Sequence, residues 1–124
     1  MKQRDKRRFI RFDSLHLLDY LVLDEDGNPG RYSMGRTIDV SIDGIKLETK
    51  YKIKLGSRIL VTLGLEDDLI DLEGQVTHNA MHAGHFLSGV SFLKISKEGR
   101  RILAKYVEAF RERKEALNRQ AAVK

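Results

Sequence analysis

The chain has 124 residues, of which 41% are hydrophobic, and a formal net charge of +5. This length supports one domain with a modest core and leaves no room for a separate catalytic module. The absence of cysteine excludes disulfides and thiolate chemistry. The charged first residues are not followed by a long apolar run, so we expect no secretory signal, no membrane span and a cytoplasmic location.

The charge is unevenly distributed along the chain. Residues 1–12 carry six Lys or Arg against one Asp, and residues 97–124 carry nine against four Glu. Each of these ends is therefore +5, so residues 13–96 must total −5. A nucleic-acid-binding protein would more often spread positive charge over its folded surface. The pattern instead favours a flexible basic N-terminal arm that meets a small anion or the acidic body.

The first three quarters of the chain predict β-strands. Leu15–Leu23 and Arg31–Val40 form a predicted hairpin around an exposed turn at residues 24–30. Further strands are predicted at Ile45–Thr49, Arg58–Leu65, Leu69–His78 and Phe86–Leu93, the last two joined by a loop over residues 79–85. Six or seven strands with short turns predict a mainly β fold, a closed antiparallel barrel, because closure removes exposed edges.

The last part of the chain changes to a helical period. Ser96 is a predicted helix cap, and one apolar stripe follows it: Ile102, Leu103, Tyr106, Val107, Phe110 and Leu117. The stripe predicts a C-terminal helix that packs against the barrel, with a partner groove as the alternative use. Beyond Phe110 the stripe thins, so the last turns either project or pair with a second copy in a homodimer. The predicted organisation is an arm over 1–12, a barrel over 13–95 and a helix over 96–120.

Two short motifs carry most of the functional information. The first is Arg7-Arg8-Phe9-Ile10-Arg11, and the second is Asp39-Val40-Ser41-Ile42-Asp43-Gly44. They resemble the RxxxR and DxSxxG motifs of the PilZ domain family, and Gly89-Val90-Ser91-Phe92 resembles a late barrel strand of that family. The resemblance covers residues 4–110. It implies a bacterial receptor for the second messenger cyclic di-GMP, in motility or biofilm regulation, rather than an enzyme.

The residue types in both motifs suit this ligand. An arginine fork, as at Arg7 or Arg11 with Arg8 beside them, can contact guanine O6 and N7 or clamp a phosphate. Asp39 can accept from guanine N1 or N2, and the Ser41 hydroxyl can donate to a phosphate or hold its own turn. Gly44 fits a position that needs positive φ or close approach of the backbone. The predicted ligand-binding residues are Arg7, Arg8, Arg11, Asp39, Ser41 and Gly44.

Two details of the first motif stay open. Arg4 with Arg8 has the same spacing as Arg7 with Arg11. The second pair is favoured because Phe9 and Phe12 then begin an apolar rhythm that leads into the barrel. The family resemblance links position 6 to ligand stoichiometry, and with Lys6 there both one ligand and a stacked pair remain compatible with the sequence.

The sequence gives little indication of metal binding or catalysis. His78, His82 and His85 are three and four residues apart, but in a hairpin loop this spacing does not bring imidazoles together, so we predict no metal site. Asp67, Asp68 and Asp71 lack a nearby base or cation pair, so we predict no catalysis and no cofactor.

The functional prediction is a receptor whose arm folds over cyclic di-GMP on the barrel, creating a surface that engages an effector protein. One alternative is a PilZ-fold adaptor that no longer binds ligand and acts through its C-terminal helix. Another is a nucleic-acid-binding barrel that uses the basic arm, but four Tyr and five Phe at mostly apolar-periodic positions give no evident base-stacking platform.

Overall fold

Six strands and one helix make up the part of the chain that the structure describes. The structure is a computed structural model that describes residues 17–122, with side chains described through residue 119. The elements are β1 (Leu17–Leu23), β2 (Pro29–Val40), β3 (Gly44–Thr49), β4 (Arg58–Leu65), β5 (Asp68–His82), β6 (His85–Phe92) and α1 (Lys97–Ala122). The strands close into an antiparallel barrel in the order β1-β2-β3-β6-β5-β4. The predicted mainly β barrel with a C-terminal helix is confirmed.

Alternation of side chains builds the barrel core. Along β3, Ile45 and Leu47 are buried while Lys46 between them is exposed, and along β4 the branched residues Ile59 and Val61 point inward. Successive strand residues face opposite sides of a sheet, so this period of two fills the interior with apolar groups and leaves charges outside. The strict alternation of residues 45–49 in the sequence predicts that Ile45 and Leu47 face the core, and the structure confirms it.

The β5–β6 hairpin differs from the prediction. The loop predicted over residues 79–85 is wrong, because β5 continues to His82 and β6 begins at His85. Only Ala83 and Gly84 form the turn, with φ of 51° and 82°. Positive φ at both central residues is what a two-residue hairpin turn of the favoured hand requires. An Ala–Gly pair is a weak signal for such a turn, since Ala rarely adopts positive φ.

The helix closes one end of the barrel. The Ser96 hydroxyl accepts a hydrogen bond from the Gly99 N–H at 3.0 Å, which is the predicted N-terminal cap. The side chains of Leu103, Tyr106, Val107 and Phe110 are buried against the barrel. The predicted packing of the helix on the barrel is therefore confirmed. No helix in the described part of the chain is long and apolar enough to cross a membrane.

Tyr106 anchors α1 inside the barrel. Its hydroxyl lies 3.2 Å from the Thr37 hydroxyl of β2, and both side chains are buried. Burial raises the pKa of Tyr106 to about 12, and the hydrogen bond to Thr37 opposes part of that rise. The phenol is therefore neutral near pH 7 and acts as a structural polar contact.

The opposite end of the barrel is closed by the loop over residues 50–57. Ile53 of this loop is buried, and its carbonyl accepts from the Asn79 amide at 2.9 Å. Farther along the loop, the Gly56 N–H donates to the Val76 carbonyl at 2.8 Å, and the Val76 N–H donates to the Ser57 carbonyl at 2.9 Å. These bonds satisfy loop backbone groups that the barrel rim would otherwise leave unpaired.

The predicted arm over residues 1–12, and its boundary with the barrel at residue 13, lie outside the described residues. The division of the chain into arm, barrel and helix therefore stays a prediction.

Candidate functional site

The second motif forms the turn between β2 and β3. The Ser41 hydroxyl oxygen accepts hydrogen bonds from the N–H groups of Asp43 and Gly44, both at 3.2 Å. The Ser41 N–H donates to the Gly44 carbonyl at 2.8 Å. The hydroxyl therefore holds its own turn as an acceptor, and its proton remains available for a ligand, since a hydroxyl donates and accepts at once.

Gly44 is required by close backbone approach. A Cβ at this position would lie 2.4 Å from the carbonyl oxygen of Val90 on β6. Its φ is outside the positive range that would itself favour glycine. Of the two reasons predicted for this glycine, the structure supports the close approach of backbone.

A β-bulge turns Asp39 to the outer face of the barrel. Thr37 is opposite Leu47, and Asp39 is opposite Lys46, so Ile38 is an extra residue on β2. Thr37 is buried, and strict alternation would have pointed Asp39 inward as well. The extra residue reverses this, as bulges do when they redirect a side chain. One Asp39 carboxylate oxygen accepts from the Val40 N–H at 3.0 Å, and the side chain is exposed.

Asp39 begins a row of outward positions that crosses four strands. Lys46 of β3 lies opposite Asp39, Gly89 of β6 lies opposite Lys46, and His78 of β5 lies opposite Gly89. Gly89 has no side chain, so the row has a gap between the side chains of Lys46 and His78, and His78 Nδ1 would lie 3.5 Å from a Cβ on Gly89. A Cβ on Gly89 would lie 3.3 Å from the Cβ of His78. The row is therefore bounded by a carboxylate and a lysine on one side and an imidazole on the other.

A second bulge places His78 in this row. Val76 lies opposite Val90, and His78 lies opposite Gly89, so Thr77 is the extra residue of β5. Val76 is buried, and without the bulge His78 would face the core. The Thr77 hydroxyl lies 3.1 Å from His78 Nδ1 and fixes one side of the ring. The sequence predicted His78 as the last residue of a strand beside the hairpin loop, and the bulge that redirects it has no sequence signal that we recognise.

The motif turn is bonded to the segment that enters α1. The Phe92 N–H donates to the Asp43 carbonyl at 2.9 Å, and the Leu93 N–H donates to the Glu73 carbonyl at 2.8 Å. A cavity of about 170 Å³ lies at this junction. Its lining residues are Ile42, Asp43, Phe92, Leu93, Ile95 and Arg100. A displacement of the turn would therefore act on this segment through one hydrogen bond, from the Phe92 N–H to the Asp43 carbonyl.

Charges at the start of α1 are partly paired. Arg101 hydrogen-bonds to Glu98 at 2.5 Å, and this contact lowers the pKa of Glu98 and raises that of Arg101. Arg100, one residue earlier, lines the cavity beside Asp43.

The remaining sequence predictions have different outcomes. Arg7, Arg8 and Arg11 lie outside the described residues, as do Arg4 and Lys6, so the structure brings only Asp39, Ser41 and Gly44 together. No group of three His, Cys, Asp or Glu suited to a metal occurs within the described range. His82 and His85 lie opposite each other beside the turn. Asp71 accepts from the Thr62 hydroxyl at 2.7 Å across the β4–β5 pair.

Solved structures share this fold at low sequence identity. MrkH from K. pneumonia in its apo state is 13% identical with a TM-score of 0.59, covering 82% of this chain and 49% of MrkH. YcgR from Escherichia coli in complex with c-di-GMP is 18% identical with a TM-score of 0.58, covering 87% of this chain and 46% of YcgR. The PilZ domain of CeSA from a cellulose-synthesising bacterium is 13% identical with a TM-score of 0.55, covering 77% and 93%.

The chain spans about half the length of MrkH and YcgR and most of the isolated CeSA domain. No protein of curated function matches it. The sequence model of the PilZ domain matches residues 5–109, which include both predicted motifs and all six strands. The chain therefore belongs to the PilZ domain family.

Proposed function

We propose that this chain is a receptor for cyclic di-GMP. The observation that carries the proposal is the Ser41 turn, held by its own hydroxyl, directly after Asp39, which the bulge at Ile38 turns to the outer face. Support also comes from two PilZ structures, of YcgR and of its PilZ domain, that contain c-di-GMP. The chain is a binding protein in this proposal, and no step of catalysis is assigned to it.

The site atoms match the ligand in polarity. One oxygen of the Asp39 carboxylate accepts a hydrogen bond from the Val40 N–H. The other oxygen can accept from guanine N1–H or N2–H₂. The Ser41 hydroxyl proton can go to a phosphate oxygen. Lys46, opposite Asp39, supplies a cation that neutralises part of the ligand's two negative charges. Guanine and phosphate would then be bound by neighbouring groups of β2, β3 and the turn between them.

The gap between side chains at Gly89 would give a place for a flat ring. Lys46 and His78 border it, and a base laid on the glycine backbone would meet the imidazole of His78 at its edge or face. Such stacking is worth about 1–3 kcal/mol per base in proteins that use aromatic groups for this purpose. We infer that the ligand extends from Asp39 towards His78.

The arginines of the first motif complete the proposed site. Arg7 and Arg11, with Arg8 beside them, would clamp phosphate or guanine from above the barrel. Each charge-assisted hydrogen bond is worth about 1.5–3 kcal/mol, and ordering the chain that carries them consumes part of this gain. The arm is thus the element that ligand binding would reposition.

Signalling in this proposal occurs by contact with an effector protein. The hydrogen bond from Phe92 to the Asp43 carbonyl supports a route from the motif turn to α1, which is the element next in the chain. We place this receptor in the bacterial cytoplasm, where it would control motility or biofilm formation. An adaptor that acts through α1 without ligand is the alternative, and it is favoured by the 48% exposure of Leu117, seven residues past the buried Phe110.

Calorimetric titration with cyclic di-GMP tests the proposal. Separate titrations with cyclic di-AMP and GTP are the specificity controls. We expect selective binding to the wild type and none measurable for Arg7→Ala/Arg11→Ala. Each single change should weaken binding by about ten- to a hundred-fold, at about 1.4 kcal/mol per decade. Absence of heat and of any melting-temperature shift in the wild type would reject the receptor and leave the adaptor.

Two further variants settle the open details of the first motif. If Arg4→Ala weakens binding more than Arg7→Ala, the working pair is Arg4 and Arg8. The same titration gives the stoichiometry, and a ratio of two ligands per chain would indicate a stacked pair. Replacement of Lys6 by Ala then tests whether that position controls the ratio.

A further inference from the structure

The end of the barrel away from the second motif carries two hollows divided by one exposed leucine. Because neighbouring strands are antiparallel, the β1–β2 turn, the 50–57 loop and the β5–β6 turn all meet at this end, which we call the loop end. One hollow of about 410 Å³ and another of about 590 Å³ share Lys54 and Leu55 in their walls. Leu55 is 58% exposed. An exposed apolar side chain between two hollows is typical of a surface that contacts another protein.

Opposite charges lie on the two sides of Leu55. Asp24 and Glu25 line the first hollow, and Lys52 and Lys54 line the second, with Lys54 also reaching the first. All four residues are exposed. Among the described residues neither lysine forms an ion pair with a carboxylate, whereas Arg58 in the first hollow pairs with Glu73 at 2.6 Å. The loop end therefore presents unneutralised charge of both signs about one apolar centre.

The acidic side is held rigidly. The Asp24 carboxylate accepts from the N–H groups of Asp26 and Asn28 at 2.9 and 2.8 Å, which fixes the β1–β2 turn. These neutral donors leave the negative charge of Asp24 in place. Glu25 and Asp26 extend the same charge along the turn, and both are exposed.

The basic side continues onto an aromatic residue. Arg31 lies 4.0 Å and Lys50 lies 5.9 Å from the ring centroid of Tyr51, which is 39% exposed. Cations held on a ring face in this way are partly ordered before any partner arrives. They add two cations around Tyr51, the residue before Lys52, to a region (residues 13–96) whose net charge is −5.

From this layout we propose that the loop end is a twofold interface between two copies of the chain. In a twofold interface the same surface meets itself, so each patch must complement its own rotated image. Rotation about an axis near Leu55 brings the acidic side of one copy onto the basic side of the other, while the two Leu55 side chains pack at the centre. An acidic partner protein would leave Asp24 and Glu25 facing like charge, and nucleic acid would be repelled by the same residues.

This interface is independent of the proposed ligand. The Ser41 turn and α1 lie at the opposite end of the barrel, so both remain accessible in the dimer. The contact relies on exposed charges and one apolar residue, so it is a transient association that weakens as salt screens the charges.

Charge reversal and its rescue test the proposal by sedimentation velocity over a concentration series at low salt. Variant one is Lys52→Glu/Lys54→Glu, which makes both sides acidic. Variant two is Glu25→Lys/Asp26→Lys, which makes the acidic side basic and spares the Asp24 turn. We expect the wild type to dimerise and each variant alone to dimerise at least about tenfold more weakly. An equimolar mixture of the two should form a heterodimer.

Two controls complete the experiment. Lys94→Glu/Lys97→Glu changes the same charge at the other end of the barrel and should dimerise like the wild type, while Leu55→Ser should weaken the dimer. Circular dichroism melting checks that each variant is folded. A wild type that stays monomeric up to its solubility limit overturns the proposal. So does a dimer that charge reversal at the loop end leaves unchanged, or a mixture of the folded variants that fails to associate.

Discussion

The two ends of the barrel are closed by different means. At the motif end, the three residues between β2 and β3 form a turn held by the Ser41 hydroxyl, and α1 covers the barrel beside it. At the loop end, eight residues cross the opening and only Ile53 among them is buried. A short bonded turn presents donors and acceptors in fixed positions, as a small ligand requires. A longer exposed loop presents charge and apolar surface, which suits a protein partner.

The two ends of the barrel also differ in which other elements a local displacement would affect. The motif turn is bonded to Phe92, and the chain continues from there directly into α1. The loop end is bonded to the middle of β5 through Val76 and Asn79, inside the sheet itself. A ligand at the motif end can thus bias a separate element, whereas the loop end is anchored to the rigid barrel. This difference makes the motif end the sensing end in our proposal.

The largest loss of stability is expected at Gly44, where the backbone of β6 leaves no space for a side chain. Gly44→Ala would place a Cβ 2.4 Å from the Val90 carbonyl oxygen, and both groups belong to paired backbone. The strand pair must separate, which we expect to cost about 3 kcal/mol or more of unfolding free energy. Urea denaturation measures the loss.

Gly64→Ala is the matched control for that change. Its Cβ would meet only the Leu69 side chain, at 3.5 Å, so we expect stability to change by about 0.5 kcal/mol or less. Equal losses in the two variants would mean that glycine in these strands is required for a reason other than the β3–β6 approach.

The pH dependence of stability tests how the helix closes the motif end. The pKa of Tyr106 is raised to about 12 by burial, while in the unfolded chain it is about 10. The unfolded state therefore releases its proton first as pH rises, and stability present below pH 10 is lost between about pH 10 and 12, by about 2–3 kcal/mol.

Tyr106→Phe isolates this contribution. At pH 8 the variant should be less stable than the wild type by about 1–3 kcal/mol, because the buried Thr37 hydroxyl loses its partner. Above pH 10 the difference should shrink, since the variant has no phenol to ionise at this position. Urea unfolding at pH 8 and pH 11.5 measures both, and a constant difference at the two pH values would contradict the assignment.

Ligand affinity distinguishes the two acids of the motif turn. Asp39→Ala should weaken cyclic di-GMP binding by about ten- to a hundred-fold, because a charge-assisted bond to guanine is lost. Asp43→Ala removes an equal charge two residues past Ser41, and its side chain forms no bond within the turn, so we expect a change below about threefold. Similar losses in both would indicate that net charge, rather than the position of Asp39, controls binding.

The sequence predicts the strands well because their alternation is itself the cause of burial, as at Ile45, Leu47 and Ile59. It also predicts the turn at Ser41, since the hydroxyl bonds the backbone of its own turn. It does not predict the bulges at Ile38 and Thr77, because an extra residue on one strand is decided by the partner strand. Those bulges set which way Asp39 and His78 point. The sequence therefore predicts the Ser41 turn and does not predict the outward row from Asp39 to His78.

The smallest effect is expected at the far side of that row. His78→Ala should weaken cyclic di-GMP binding by about three- to tenfold, since it removes a ring from the edge of the proposed site while Asp39 and Ser41 remain. His82→Ala is the control, because His82 lies four residues farther along β5, beside the hairpin turn. If His78→Ala binds like the wild type while Asp39→Ala does not, the ligand stops before the gap at Gly89. The site would then consist of the motif turn and the arm alone.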